Sequence, residues 1–192
     1  MSRKNSAGSS ITDLIGVRPV SFMNGGDVPL FPFPQLGASE SFKAGEMVCM
    51  SGAAGSRMGL TKPGTDASGQ GIVGFAADDA GTAISAVLGV YVATPDTIFI
   101  GNVGHSTSAS AQTAATDCFQ LFGLTSLSGR TYVDKSKGGA NVSTAMVRVL
   151  GFHEQDDVPT FYGRVLFQVL APVSQLVNSQ VLNNISSPAL AN

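Results

Sequence analysis

The densest set of potential ligands in the sequence is His153-Glu154-Gln155-Asp156-Asp157, where an imidazole and three carboxylates could bind a divalent cation. The spacing argues against it. A calcium loop alternates its oxygen ligands around a glycine bend and ends on a distal glutamate, whereas these residues are contiguous and run into Val158-Pro159. A solvated hairpin loop is the expected role, and Asp78-Asp79 ahead of Ala80-Gly81 reads as a turn. Nucleophilic catalysis needs a partnered nucleophile, a base and an orienting acid. His105-Ser106 stands alone in a small-residue loop, and no Gly-x-Ser-x-Gly elbow follows a strand. Gly69-Gln70-Gly71-Ile72-Val73-Gly74 imitates a dinucleotide fingerprint, but no helix-forming run follows to present an N-terminus to a pyrophosphate. Cys49 and Cys118 have no Cys-x-x-Cys spacing and no paired histidines, so buried reduced thiols are expected. These residues point away from an enzyme and call for no cofactor and no metal.

The elements around them are those of a β protein. Only 12% of the 192 residues are charged, about half the usual share, and 43% are hydrophobic. With 23 Gly, 22 Ser and 13 Thr, the chain favours short strands and turns over long helices. Eight apolar runs read as strands: 46–50, 71–76, 84–93, 97–103, 118–124, 130–134, 145–153 and 161–170. Eight short β segments in some 130 residues is the spacing of a compact antiparallel barrel or sandwich. Thr94-Pro95-Asp96 between two β-branched and aromatic runs predicts a hairpin, and Glu154 to Pro159 predicts another, with Arg148 and Arg164 facing outward.

Two extensions flank this domain, which spans 39–170. Residues 1–38 read as an N-terminal arm. The alternating prolines of Val28-Pro29-Leu30-Phe31-Pro32-Phe33-Pro34 exclude a helix and a central strand, leaving polyproline-like or edge-strand backbone. Phe31 and Phe33 project to one side of such a chain, with Phe22 and Leu30 as further apolar contacts, and the rings either pack on the protein's own domain or dock on a neighbouring subunit. Residues 171–192 carry no charged side chain, yet include Val173, Leu176, Val177, Val181, Leu182 and Ile185. A tail so poor in charge is expected to dock on a partner, through a short amphipathic helix or along a strand edge.

The net charge of −2 and scattered basic residues argue against binding nucleic acid through its phosphates. No apolar run approaches the ~18 residues of a membrane span. The basic N-terminus is not followed by the apolar segment of a secretory signal, so synthesis in a cytoplasm is expected. A low net charge suits a protein that sits against other protein surfaces.

The order of features in the central zone resembles the capsid decoration, or cement, proteins of tailed bacteriophages. The residues that carry the resemblance are Ser41-Phe42-Lys43-Ala44-Gly45-Glu46-Met47-Val48, Gly71-Ile72-Val73-Gly74-Phe75-Ala76-Ala77-Asp78-Asp79 and Ala93-Thr94-Pro95-Asp96-Thr97-Ile98-Phe99. It closes on Arg148-Val149-Leu150-Gly151-Phe152 and Arg164-Val165-Leu166-Phe167, and covers about two-thirds of the chain. The resemblance implies a β-tulip-like domain, often trimeric, made in the bacterial host cytoplasm. Such a protein binds the outer surface of the assembled shell and bridges major capsid protein subunits. On that expectation Phe22, Leu30, Phe31 and Phe33 make one contact and Val177, Val181, Leu182 and Ile185 another. Two other readings stay open: a fibre or spike base, and a β-barrel metal-dependent enzyme using His105, His153 and the Asp156-Asp157 loop.

Overall fold

The computed structural model describes residues 15–52, 58–63, 71–83, 86–138 and 144–177. Its strands are β1 (Arg18–Phe22), β2 (Leu30–Pro34), β3 (Met47–Ser51), β4 (Gly59–Thr61), β5 (Gly74–Ala76) and β6 (Val87–Val92). They continue with β7 (Thr97–Gly104), β8 (Leu121–Leu127), β9 (Arg130–Gly138), β10 (Val147–Phe152) and β11 (Arg164–Val169). The fold is all-β, in two sheets ordered β1-β7-β11-β10-β8-β9 and β2-β6-β5-β3-β4.

Both sheets curl toward closure, which shortens their open edges. In the first, β9 returns to β7 in parallel through Val103↔Val133 and Gly104↔Asp134. In the second, Gln35 bridges to Leu60, and the Leu36 N–H donates to the Leu60 carbonyl at 2.9 Å. Alternation sorts most apolar side chains into two main cores, beside a small third cluster of Ala111, Tyr132 and Tyr162. Val149, Val165, Leu124 and Val133 fill the larger one, where Phe75, Phe99 and Phe167 meet edge-on or stacked with centroids 4.7–6.1 Å apart. Phe42, Val48, Leu60, Val73 and Val90 fill the smaller one, inside the second sheet.

All eight expected strands are present, but the hairpin over residues 90–100 is not. Thr94-Pro95-Asp96 does turn, with the Thr97 N–H donating to the Thr94 carbonyl at 3.0 Å; β6 and β7 then enter different sheets. The reason lies in the arm. β1 pairs with β7 and β2 with β6, so residues 18–34 run antiparallel to 87–100 around the corner, and the edges a hairpin would use are already filled. The corner itself is bridged from the Met23 N–H to the Asp96 carbonyl at 2.8 Å. The second hairpin forms as expected, β10 against β11. Arg148 faces out; Arg164 does not, because it turns into the loop to meet Asp156.

The arm is extended and at sheet edges, as its prolines require. Pro29 and Gln35 bond across to β6, so the alternate residues Leu30, Pro32 and Pro34 point their backbone groups at the free edge. Proline has no N–H to waste there. The start of the tail also belongs to the body: Ser174 bridges to Ile72, and the Gln175 side chain accepts from the Met50 N–H at 2.7 Å. Most of the tail that could form either a short amphipathic helix or a docked strand lies beyond residue 177, outside the described residues.

One glycine fixes how the sheets meet. Gly45 sits at φ +83°, and a Cβ there would lie 2.6 Å from the Gly16 Cα, while its carbonyl accepts from the Val17 N–H and its own N–H donates to Ala76. Gly45→Ala would force both a left-handed alanine and a backbone clash. It is expected to lose about 2–4 kcal/mol in urea unfolding; an unchanged midpoint would contradict this packing.

Candidate interaction surface

The residues with chemical potential are spent on structure. His105 Nδ1 accepts from the Thr107 N–H at 2.9 Å, and His153 Nδ1 from the Gln155 N–H at 3.2 Å. Asp156 takes three hydrogen bonds from the Arg164 guanidinium, 2.6 Å at the shortest, and one from the Arg164 backbone N–H at 2.7 Å. Among the described residues no three of His, Cys, Asp and Glu are grouped to hold a metal. Cys49 and Cys118 are free thiols; burial pushes Cys49 up to about 11, with the Glu40 charge adding to the effect.

The apolar candidates divide. Phe33 faces inward opposite Leu88 and packs on the smaller core, and Phe22 is half-buried on β1. Leu30 and Phe31 are 54% and 52% exposed. Val177 is exposed at the last described position, and Val181, Leu182 and Ile185 lie outside the described residues.

Leu30 belongs to a larger surface. Its partners on β6 alternate, so Val87, Gly89 and Tyr91 share one face of the sheet with Leu30 between the last two. A Cβ built on Gly89 would meet the Leu30 Cδ1 at 3.1 Å, the Asp78 Oδ2 at 3.2 Å and the Ala77 Cβ at 3.3 Å, which places these side chains around Gly89 with one carboxylate among them. Val87 is 66% exposed. Tyr91 and Ala77 lead on into a cleft of about 480 Å³ where β1 and the second sheet diverge, its walls including Val17, Arg18, Pro19 and Arg130.

Sequence reading missed Val87, Arg18 and Arg130. Val87 lies within the run 84–93 read as ordinary strand, and the two arginines are far apart in the chain. It also missed Phe119, whose ring is exposed on a left-handed backbone at φ 65°, an uncommon and strained state for an aromatic residue. The fold and this surface define a class: a two-sheet β protein that carries an exposed apolar strip beside a cationic cleft. Compared with protein-family models, curated proteins and solved structures, the chain matches none.

Proposed function

We propose that this chain is a structural virion protein that binds the outer surface of an assembled phage capsid and bridges its major capsid subunits. The observation that carries the reading is the group of exposed apolar side chains at the edge of the second sheet, Leu30 and Val87 on one face and Phe31 on the other. Large apolar side chains grouped in this way mark a surface that a partner covers. Pro32 and Pro34 blunt the same edge against strand addition, so docking there is by side chains, and open-ended strand pairing between copies is suppressed.

A protein that binds the assembled lattice and not its free subunits raises shell stability by mass action. Several weak contacts in one homo-oligomer, a trimer on this reading, add through effective concentration. The test is co-sedimentation of the purified protein with expanded capsids that lack it, against free major capsid subunits. Saturable binding to shells alone supports the proposal. Absence of shell binding overturns it and favours a fibre or spike base.

A further inference from the structure

We propose that the cleft between β1 and the second sheet receives an acidic side chain carried on an extended, apolar segment of the partner. The inference deepens the assembly reading and rests on it for the source of that segment. Arg18 and Arg130 both line the cleft, and neither is ion-paired among the described residues. Lys43 beside them is committed to Asp79 at 3.0 Å, and Asp79 also accepts from the Ala44 N–H at 2.9 Å. Asp78 is held by the Gly89 N–H at 3.0 Å. Arg18, Arg130 and Lys43 thus outnumber Asp78 and Asp79, both already engaged, Asp79 also by the Arg130 charge, in a chain whose net charge is −2. The local field selects an anion, and two guanidinium forks suit a carboxylate.

The surroundings fix the kind of segment that carries it. Val87, Gly89 and Tyr91 repeat every second residue along β6, about 7 Å apart, which is the spacing of side chains on one face of an extended chain. The close approach of Gly16 and Gly45 makes the cleft floor from backbone. A partner strand lying over Val87 and Leu30 would bring its next same-face side chain over the cleft beside Tyr91. Two apolar residues at alternate positions, followed two residues on by a glutamate or aspartate, is the matching pattern.

The test titrates the isotope-labelled full chain with two end-capped seven-residue peptides that carry valine at positions 2 and 4 and polar uncharged residues between, one with glutamate at position 6 and the other with glutamine there. The glutamate peptide is expected to shift the backbone amides of Val17, Gly45, Ala77 and Tyr91, and to weaken as salt is raised. The glutamine peptide, and the glutamate peptide on Arg18→Gln with Arg130→Gln, are expected to bind at least about tenfold more weakly. Arg148→Gln, an exposed arginine on β10, is expected to change nothing. Equal affinity for both peptides, shifts elsewhere, or no glutamate-dependent shift at millimolar peptide would overturn the proposal. So would a concentration-dependent dimer lost in the double variant, because the cleft would then belong to a second copy. No shell enters this experiment, so its failure leaves the capsid-binding result standing.

Discussion

Leu30→Ser with Phe31→Ser is expected to reduce shell binding at least about a hundredfold while leaving the fold intact. Central apolar anchors at protein interfaces commonly cost 2 kcal/mol or more each when truncated, about thirtyfold apiece. Both side chains are more than half exposed, so their loss from the free protein is expected to cost less than about 1 kcal/mol and to move the melting temperature by only a few degrees. Phe33→Ser serves as the contrast. Its ring packs on the smaller core, and the substitution is expected to destabilise the domain by about 2–3 kcal/mol. Sedimentation with shells and thermal melting, run together on both variants, separate an anchor from a core residue. Normal binding by the Leu30/Phe31 variant would remove this apolar group from the account.

Arg164→Met is expected to cost about 3–5 kcal/mol at neutral pH, the largest single loss of stability anticipated among the charged residues. The Asp156 and Arg164 side chains are only 4% and 14% exposed, and removing the cation strands a carboxylate that has little water to turn to. Burial pushes the Asp156 carboxyl up. The hydrogen bonds from the Arg164 side chain and backbone, with the guanidinium charge, outweigh burial and leave the carboxyl below its ordinary value of 3.8. A group whose value is lowered by folding adds stability above its unfolded value and loses it as pH falls through the folded one. The gap between the parent protein and Arg164→Met is therefore widest at neutral pH and narrows below about pH 4. Urea unfolding at several pH values reads this directly. A gap that stayed constant into acid would mean that the ion pair is not its source.

Much of the fold was legible because period-two alternation survives without any partner. The runs Val147-Arg148-Val149 and Val165-Leu166-Phe167 announce strands, and both lie where expected, paired in one hairpin. The arm was legible only in part. Alternating prolines state that residues 29–34 are extended and at an edge, but the sequence does not say which strand lies on the other side. That partner is β6, and its occupation by β2 is what sends β7 into the other sheet. A hairpin read from Thr94-Pro95-Asp96 alone fails because the turn is local while the competition for its flanking edges is not. The short β4 escaped notice because three residues, Gly59–Thr61, are too few to show alternation.

The candidate surface divides along the same line. Leu30 and Phe31 stood out because apolar residues in a proline-rich run have few places to hide, whereas the burial of Phe33 depends on Leu88, more than fifty residues away. Arg18 and Arg130 share a cleft only because Gly45 lets the segment before β1 lie against the loop before β3. Nothing near either arginine in the sequence signals that neighbour.

Co-sedimentation of the purified chain with expanded capsids that lack it, alongside free major capsid subunits, tests the central claim most directly. The account predicts saturable binding to shells at a fixed ratio to the lattice, with none to free subunits, and its loss in Leu30→Ser with Phe31→Ser. Failure to bind shells at all, or equal binding to shells and free subunits, would contradict it.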